Sequence, residues 1–242
     1  MARMTINLGI TRYLKRITPP NPLPRLPWWI SRWFGYRAEP QTPKPFYLVW
    51  AWTWIGAFCG ISVLQAVFGQ AHYFVEGGVP SIVASYGASA VLIYGAVDVP
   101  LAQPRALFGG HFLSALTGVI ITKLFHLLPT EERFQQLLWL TGSISCATAI
   151  VVMQITGTTH PPAGATALLA AVNDQIRDIG WYYLPVILLS STLACAVALV
   201  INNIQRRYPV FWFAPPRPQP AVPVPPPSAP EKAAETTETP PV

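Results

Sequence analysis

The chain has 242 residues, of which 52% are hydrophobic and only 11% charged, against about 25% charged in an ordinary soluble domain. Eight of its sixteen Lys and Arg residues, from Arg3 to Lys44, precede Phe46 with Glu39 as the single acid among them, so the net charge of +6 belongs to the first tail. These figures exclude a soluble globule. Beside an apolar block and without a recognisable nucleic-acid module, the basic tail points to an anionic membrane surface, and no nucleic acid is expected as a partner.

In chain order, residues 1–45 form a basic, Pro-rich tail with eight prolines between Pro19 and Pro45. Its first twenty residues hold no acid, and Ile6, Leu8, Ile10, Leu14 and Ile17 alternate with Arg12, Lys15 and Arg16. That pattern fits either an organelle-targeting helix or an ordinary basic tail. The apolar block follows, over residues 46–204. Four segments in it are long enough to span a bilayer: Phe46–Gly69, Ala106–Phe125, Phe134–Gly157 and Trp181–Ile204. Each has about twenty residues, which at 1.5 Å rise crosses about 30 Å of hydrocarbon. Trp50, Trp52 and Trp54 open the first span, and Trp181, Tyr182 and Tyr183 the last, as an interfacial belt requires. Residues 205–242 close the chain with eleven prolines between Pro215 and Pro241. This tail is too polar to bury a core and is expected to be disordered.

Two shorter apolar stretches lie between the spans, Ser81–Val99 and Ala163–Val172. Pro161 and Pro162 introduce the second and suit only the first turn of a helix. Each stretch reads as a half-helix or a re-entrant segment whose non-helical start must face protein or a watery cavity. Gly87-Ala88-Ser89-Ala90-Val91-Leu92 aligns with Gly164-Ala165-Thr166-Ala167-Leu168-Leu169 at an offset of 77. The element order span, short helix, span occurs twice, so an internal two-fold repeat is expected, residues 46–125 and 134–204. Six crossings would make the halves inverted, the arrangement of many transporters; re-entrant short pieces would make them parallel. The basic flanks put both termini on one side, the cytosolic one or its equivalent in an organelle. The fold class is an all-α polytopic transmembrane bundle.

Candidate site residues gather at the short segments. A helix that begins inside the membrane presents unpaired N–H groups and a positive dipole end, which attract a small anion. Ser89 and Thr166 would add hydroxyl donors, Gly87 and Gly164 a close backbone approach, and His160 a donor or a proton carrier. The alternative is that Ser89 and Thr166 only cap or pack, with His160 bonded to a backbone carbonyl. Asp98, Arg105, His111 and Lys123 are the other ionisable groups near the block, functional candidates by their cost in a membrane. Asp98 and Arg105 instead suit a solvated turn or a pair with each other, and Lys123 can snorkel. Gly109, Gly110, Ser114 and Gly118 make a small-residue face for tight helix packing.

No enzyme signature or metal-ligand spacing is present, so neither catalysis, a metal nor a cofactor is expected. Cys59, Cys146 and Cys195 lie in apolar runs and read as small fillers.

Thr158-Thr159-His160-Pro161-Pro162-Ala163-Gly164-Ala165-Thr166-Ala167-Leu168 resembles the signature of the HPP family of integral membrane proteins. Gly87-Ala88-Ser89-Ala90, Pro100-Leu101-Ala102-Gln103-Pro104-Arg105 and Gly109-Gly110-His111 resemble its other motif block, and the surrounding sequence is most similar to fungal members. The resemblance covers approximately Tyr47–Phe213. It implies a multi-span protein, usually described with four transmembrane helices plus the His-Pro-Pro segment, and plant members are associated with nitrite transport. Some bacterial members add a C-terminal pair of CBS domains, for which the Pro-rich tail is too short. The expected function is a transporter or channel for a small anion such as nitrite, bound by Gly87, Ser89, His160, Pro161, Pro162, Gly164 and Thr166 with Asp98, Arg105 and His111 nearby. The competing expectation is a non-transporting membrane scaffold that forms homo-oligomers and recruits partners through its tails.

Overall fold

The computed structural model describes residues 23–37 and 44–214. The expectations about a targeting helix in the first twenty residues and about the Pro-rich tail from Pro215 onward lie outside these residues. Helix α1 is Trp28–Trp33, α2 Phe46–Gln70, α3 His72–Glu76, α4 Ser85–Ala90, α5 Pro104–Phe125, α6 Glu131–Gln136, α7 Leu138–Thr156, α8 Pro161–Val172, α9 Asp174–Ile179 and α10 Tyr183–Gln205. Four of the described helices are long and apolar enough to cross a membrane: α2, α5, α7 and the α9–α10 run. All three cysteines are free, with Cys195 buried and the other two half-buried.

The contacts between helices fix the direction of every pass. Gly69 near the end of α2 lies against Ser81, whereas Thr53 near its start donates to the Tyr94 carbonyl at 3.1 Å. The segment 81–95 therefore runs back along α2 from Gly69 to Thr53. α5 and α8 run parallel, since Gly110 meets His160, Gly118 meets Ala167 and Thr122 donates to Ala170. α7 runs against both: Arg105 donates to the Thr156 carbonyl at 2.6 Å, and Gly142 lies against Leu168 and Val172. α10 opposes α5, because Gly180 adjoins Lys123 while Tyr208 reaches the Ala102 carbonyl at 2.8 Å. The chain thus passes lengthwise six times in alternating directions, and the halves α2–α4–α5 and α7–α8–α10 are inverted.

Local chemistry explains the two short passes. α8 has 12 residues, about 18 Å at 1.5 Å rise, and the non-helical run Gly157–His160 completes its pass. Gly157, at φ +64°, ends α7 in the left-handed conformation that glycine takes without strain. Pro161 and Pro162 then occupy the first turn of α8, where their missing N–H groups cost nothing. α4 continues into a π-helical turn, Val91–Gly95. Such a turn leaves carbonyls to satisfy at its end. Asn202 donates to the Ile93 carbonyl at 2.8 Å and Arg206 to the Tyr94 carbonyl at 2.7 Å.

At that same end of the bundle, Arg37 donates to the Asn203 side chain and the Arg206 carbonyl, and Arg32 to the Ile204 carbonyl. Both described ends of the chain meet there. Burial holds the Arg37 guanidinium below its usual range, and its neighbours Arg32 and Arg207 add to the shift. At the opposite end Phe134 is buried, with His126 stacked on its ring at 3.9 Å and Arg177 above it at 5.7 Å. The third span therefore does not begin at Phe134, as its hydropathy suggests. Thr130 caps a separate short α6, and the spanning helix starts at Leu138.

Candidate functional site

Four of the residues singled out in the sequence converge in the interior: Ser89, His111, His160 and Thr166 are each 0% exposed. Ser89 comes from α4, His111 from the second turn of α5, His160 from the residue before α8, and Thr166 from the middle of α8. Their polar atoms bond one another directly. The Ser89 hydroxyl lies 2.8 Å from His111 Nε2 and 2.9 Å from His160 Nε2. The Thr166 hydroxyl lies 2.7 Å from His111 Nδ1. Ser89 and Thr166 stand 77 residues apart at matching positions of two similar short segments, and they hold opposite nitrogens of a single imidazole.

The shell around this cluster is also ordered. The Tyr86 ring stacks on His111 at 4.4 Å, and its hydroxyl bonds the Ile187 carbonyl and Ser191 at 2.8 and 2.7 Å. Ser85 shares a 2.8 Å hydrogen bond with Thr166, and Tyr183 donates to the Thr166 carbonyl at 3.3 Å. His160 Nδ1 donates to the Leu101 carbonyl at 2.8 Å. Close approach makes this possible, since a Cβ on Gly110 would stand 2.7 Å from that of His160. Gly118 is as tight, because a Cβ there would stand 2.6 Å from the Ala167 carbonyl oxygen.

The remaining candidates occupy other places. Pro162 and Gly164 are buried in the first turn of α8, with Pro161 at the surface. Gly87 is exposed and has open space where a Cβ would stand. Asp98 is exposed, and its charge acts on Arg206. Arg105 binds the Thr156 and Phe213 carbonyls and so does not pair with Asp98. The expectation of free N–H groups at the helix starts also needs correction. Pro161 and Pro162 have none, the Ala163 N–H bonds His160 O, and those of Tyr86 and Gly87 bond Val83 O and Ala84 O. The donors at this site are side chains.

Sequence reasoning missed Ser85 and Tyr86, and Tyr183, read as part of an interfacial belt, is instead fully buried with its hydroxyl on Thr166 O. The i, i+4 spacing of Ser85 and Ser89 was the one available signal. Ser114, read only as a packing residue, is 0% exposed and its hydroxyl has no hydrogen-bond partner. Its spacing from Gly110 and Gly118 places it on the α5 face that meets α8. Among the described residues no group of His, Cys, Asp and Glu is arranged to hold a metal ion.

An apolar bundle of this length, with inverted halves around a buried polar cluster, defines a polytopic α-helical membrane protein. Residues 42–209 match the transmembrane region of the HPP family, and the chain belongs to that family. It is 37% identical over 190 residues to a transmembrane protein of Dictyostelium discoideum, across 76% of this chain and 63% of the relative. A second transmembrane protein of that organism is 40% identical over 167 residues, 67% of this chain and 50% of the relative. The chain thus spans less than two thirds of the length of either. No solved structure matches it.

Proposed function

We propose that this protein is a transporter of a small anion, with nitrite as the substrate, and that the anion binds at the Ser89–His111–His160–Thr166 cluster along the α5–α8 seam. The supporting observation is the convergence of two hydroxyls and two imidazoles, all fully buried, at the junction of inverted halves. Transporters of many folds bind substrate at such a junction, beside helices broken within the membrane. Every donor here is a side chain on a turnable bond, so an anion takes the place of one cluster bond and receives the hydrogens that held it. The unpartnered Ser114 hydroxyl faces the same seam. A compact oxyanion suits the hydroxyls of Ser89, Thr166 and Ser114 and the ring N–H of His111 as donors. Both described ends lie at the basic end of the bundle, which the positive-inside rule places in the cytosol or its organellar equivalent.

The test is uptake by proteoliposomes. Purified protein should carry nitrite faster than protein-free vesicles do, and His160→Ala should cut the excess rate at least tenfold. Rates equal to those of protein-free vesicles across nitrite, nitrate, formate and chloride would rule the reading out.

A further inference from the structure

The hydrogens of the cluster can be placed one by one. A carbonyl only accepts, so the bond to Leu101 O puts a proton on His160 Nδ1. A neutral His160 then accepts at Nε2, and its partner there, the Ser89 hydroxyl, must donate. The contact from Ser89 to the Ser85 carbonyl, at 3.2 Å, is the longest of the three it makes. With its hydrogen on His160, Ser89 accepts from His111 Nε2–H. His111 Nδ1 in turn accepts from Thr166, and Thr166 accepts from Ser85. One continuous chain of donors results, Ser85 to Thr166 to His111 to Ser89 to His160, ending on Leu101 O.

From this order we infer that the cluster is a proton relay and that anion transport through it is an electroneutral proton–anion symport, an inference that rests on the anion reading above. A proton arriving on Ser85 Oγ sends the Ser85 hydrogen to Thr166. The hydrogen of Thr166 passes to His111 Nδ1, that of His111 Nε2 to Ser89, and that of Ser89 to His160 Nε2. One O–H or N–H bond breaks as each new one forms. His160 is left as an imidazolium, its Nδ1 proton passes to water at the Leu101 end, and the hydroxyls and rings turn back to the starting order before the next proton enters.

The surroundings dictate what accompanies that proton. None of the six passes α2, α4 with its π turn, α5, α7, α8 and α10 contains Asp or Glu. The titratable groups that face the cluster are Tyr86 on α4 and Tyr183 on α10, with Cys146 of α7 against Gly164. α2 contributes only Tyr47 and Cys59 as titratable groups. Arg105, at the start of α5, is bound to carbonyls and carries the wrong sign. An imidazolium here has no counter-charge from the protein, and an unpaired buried charge is costly. An unaccompanied anion faces the same cost. Together they are neutral, which couples one proton to one anion.

Two measurements test this. Nitrogen-15 NMR of histidine-labelled protein in lipid, assigned with His111→Gln and His160→Gln, should show His160 protonated on Nδ1 and His111 on Nε2 near neutral pH. Any other pair of tautomers overturns the relay whether or not anions move. In proteoliposomes, external acid should accelerate nitrite uptake at least tenfold over protein-free vesicles, while a valinomycin-clamped potential of either sign changes it less than twofold. Ser85→Ala should abolish the acid stimulation, and Ser85→Thr should restore it. Uptake driven by potential and indifferent to the pH gradient overturns the coupling alone. No uptake under any gradient, with the expected tautomers present, overturns the anion reading and with it the symport, leaving the order of the hydrogens standing.

Discussion

The offset of 77 pairs one helix seam with another, and the two are filled in opposite ways. In the first, α5 presents Gly110, Ser114 and Gly118 to α8. In the second, the equivalent residues of α10 are Ile187, Ser191 and Cys195, and they face α4 and its π turn. Tyr86 and Tyr94 fill the second seam, with their hydroxyls on Ile187 O, Ser191 and Ala194 O. The positions equivalent to these tyrosines in α8 are Ala163 and Ala171. One seam therefore brings backbones into contact and the other is spaced and bolted by aromatic rings. The lesson is that a repeated scaffold need not repeat its chemistry. Ser191 has the Tyr86 hydroxyl as a partner, and its counterpart Ser114 has none. The repeat mates of the two cluster histidines are Val83 and Leu188.

His111 ties both seams together, so removing it gives the largest expected effect. His111→Ala takes away a fully buried ring and leaves the Ser89 and Thr166 hydroxyls short of partners, a loss of about 3–5 kcal/mol. Thermal unfolding in detergent, followed by tryptophan fluorescence, should show it, and hydrogen exchange should rise in α4 and α8 alike. A change confined to one short helix would break the picture of a shared anchor. Gly118→Val comes next and acts on the tight seam alone. The added atoms meet a backbone carbonyl, which cannot swing aside, so about 1–3 kcal/mol is lost to overpacking. Exchange should then rise in α8 with α4 unaffected.

The spans were legible because an uncharged run of about twenty apolar residues fits little besides a bilayer crossing, and Pro161 with Pro162 marked the start of α8 within the sequence itself. Ser89, His111, His160 and Thr166 were legible as costly polar groups in an apolar block. Their convergence was not, because it depends on helix directions. The positive-inside rule fixes only that the number of crossings is even, and four and six satisfy it equally. Ser85 and Tyr86 were missed because a hydroxyl in a membrane helix shows no role until its partner on another helix is known, and Tyr183 reads as an interfacial residue because it follows Trp181 and Tyr182 at the start of a span. Asp98 and Arg105 suited either a solvated turn or a pair with each other because they flank one turn. Carbonyls freed at the end of α7 and beyond α10 claim the guanidinium instead.

The spaced seam is tested by Tyr86→Phe, which keeps the ring on His111 and removes two hydrogen bonds from the hydroxyl. The expected cost is about 1–2 kcal/mol, since the Ile187 carbonyl and Ser191 lose a buried partner. Unfolding temperature should fall, while the tautomers of His111 and His160 stay as they are.

Ser114→Ala gives the smallest change in stability and the sharpest contrast between seams. A buried hydroxyl without a partner has lost its hydration and gained nothing in return. Its removal should therefore leave the stability unchanged or raise it by about 1 kcal/mol at most, read as an equal or higher unfolding temperature. The equivalent change in the other seam, Ser191→Ala, strips the Tyr86 hydroxyl of a partner and should destabilise. Opposite signs at two repeat-related serines would show that the first seam keeps a polar group the fold does not use. If Ser114→Ala also slows nitrite uptake in proteoliposomes while the protein stays as stable, the retained hydroxyl serves the passing anion. If it destabilises the fold as Ser191→Ala does, Ser114 is bonded within the protein after all, and the α5–α8 seam is packing and not path.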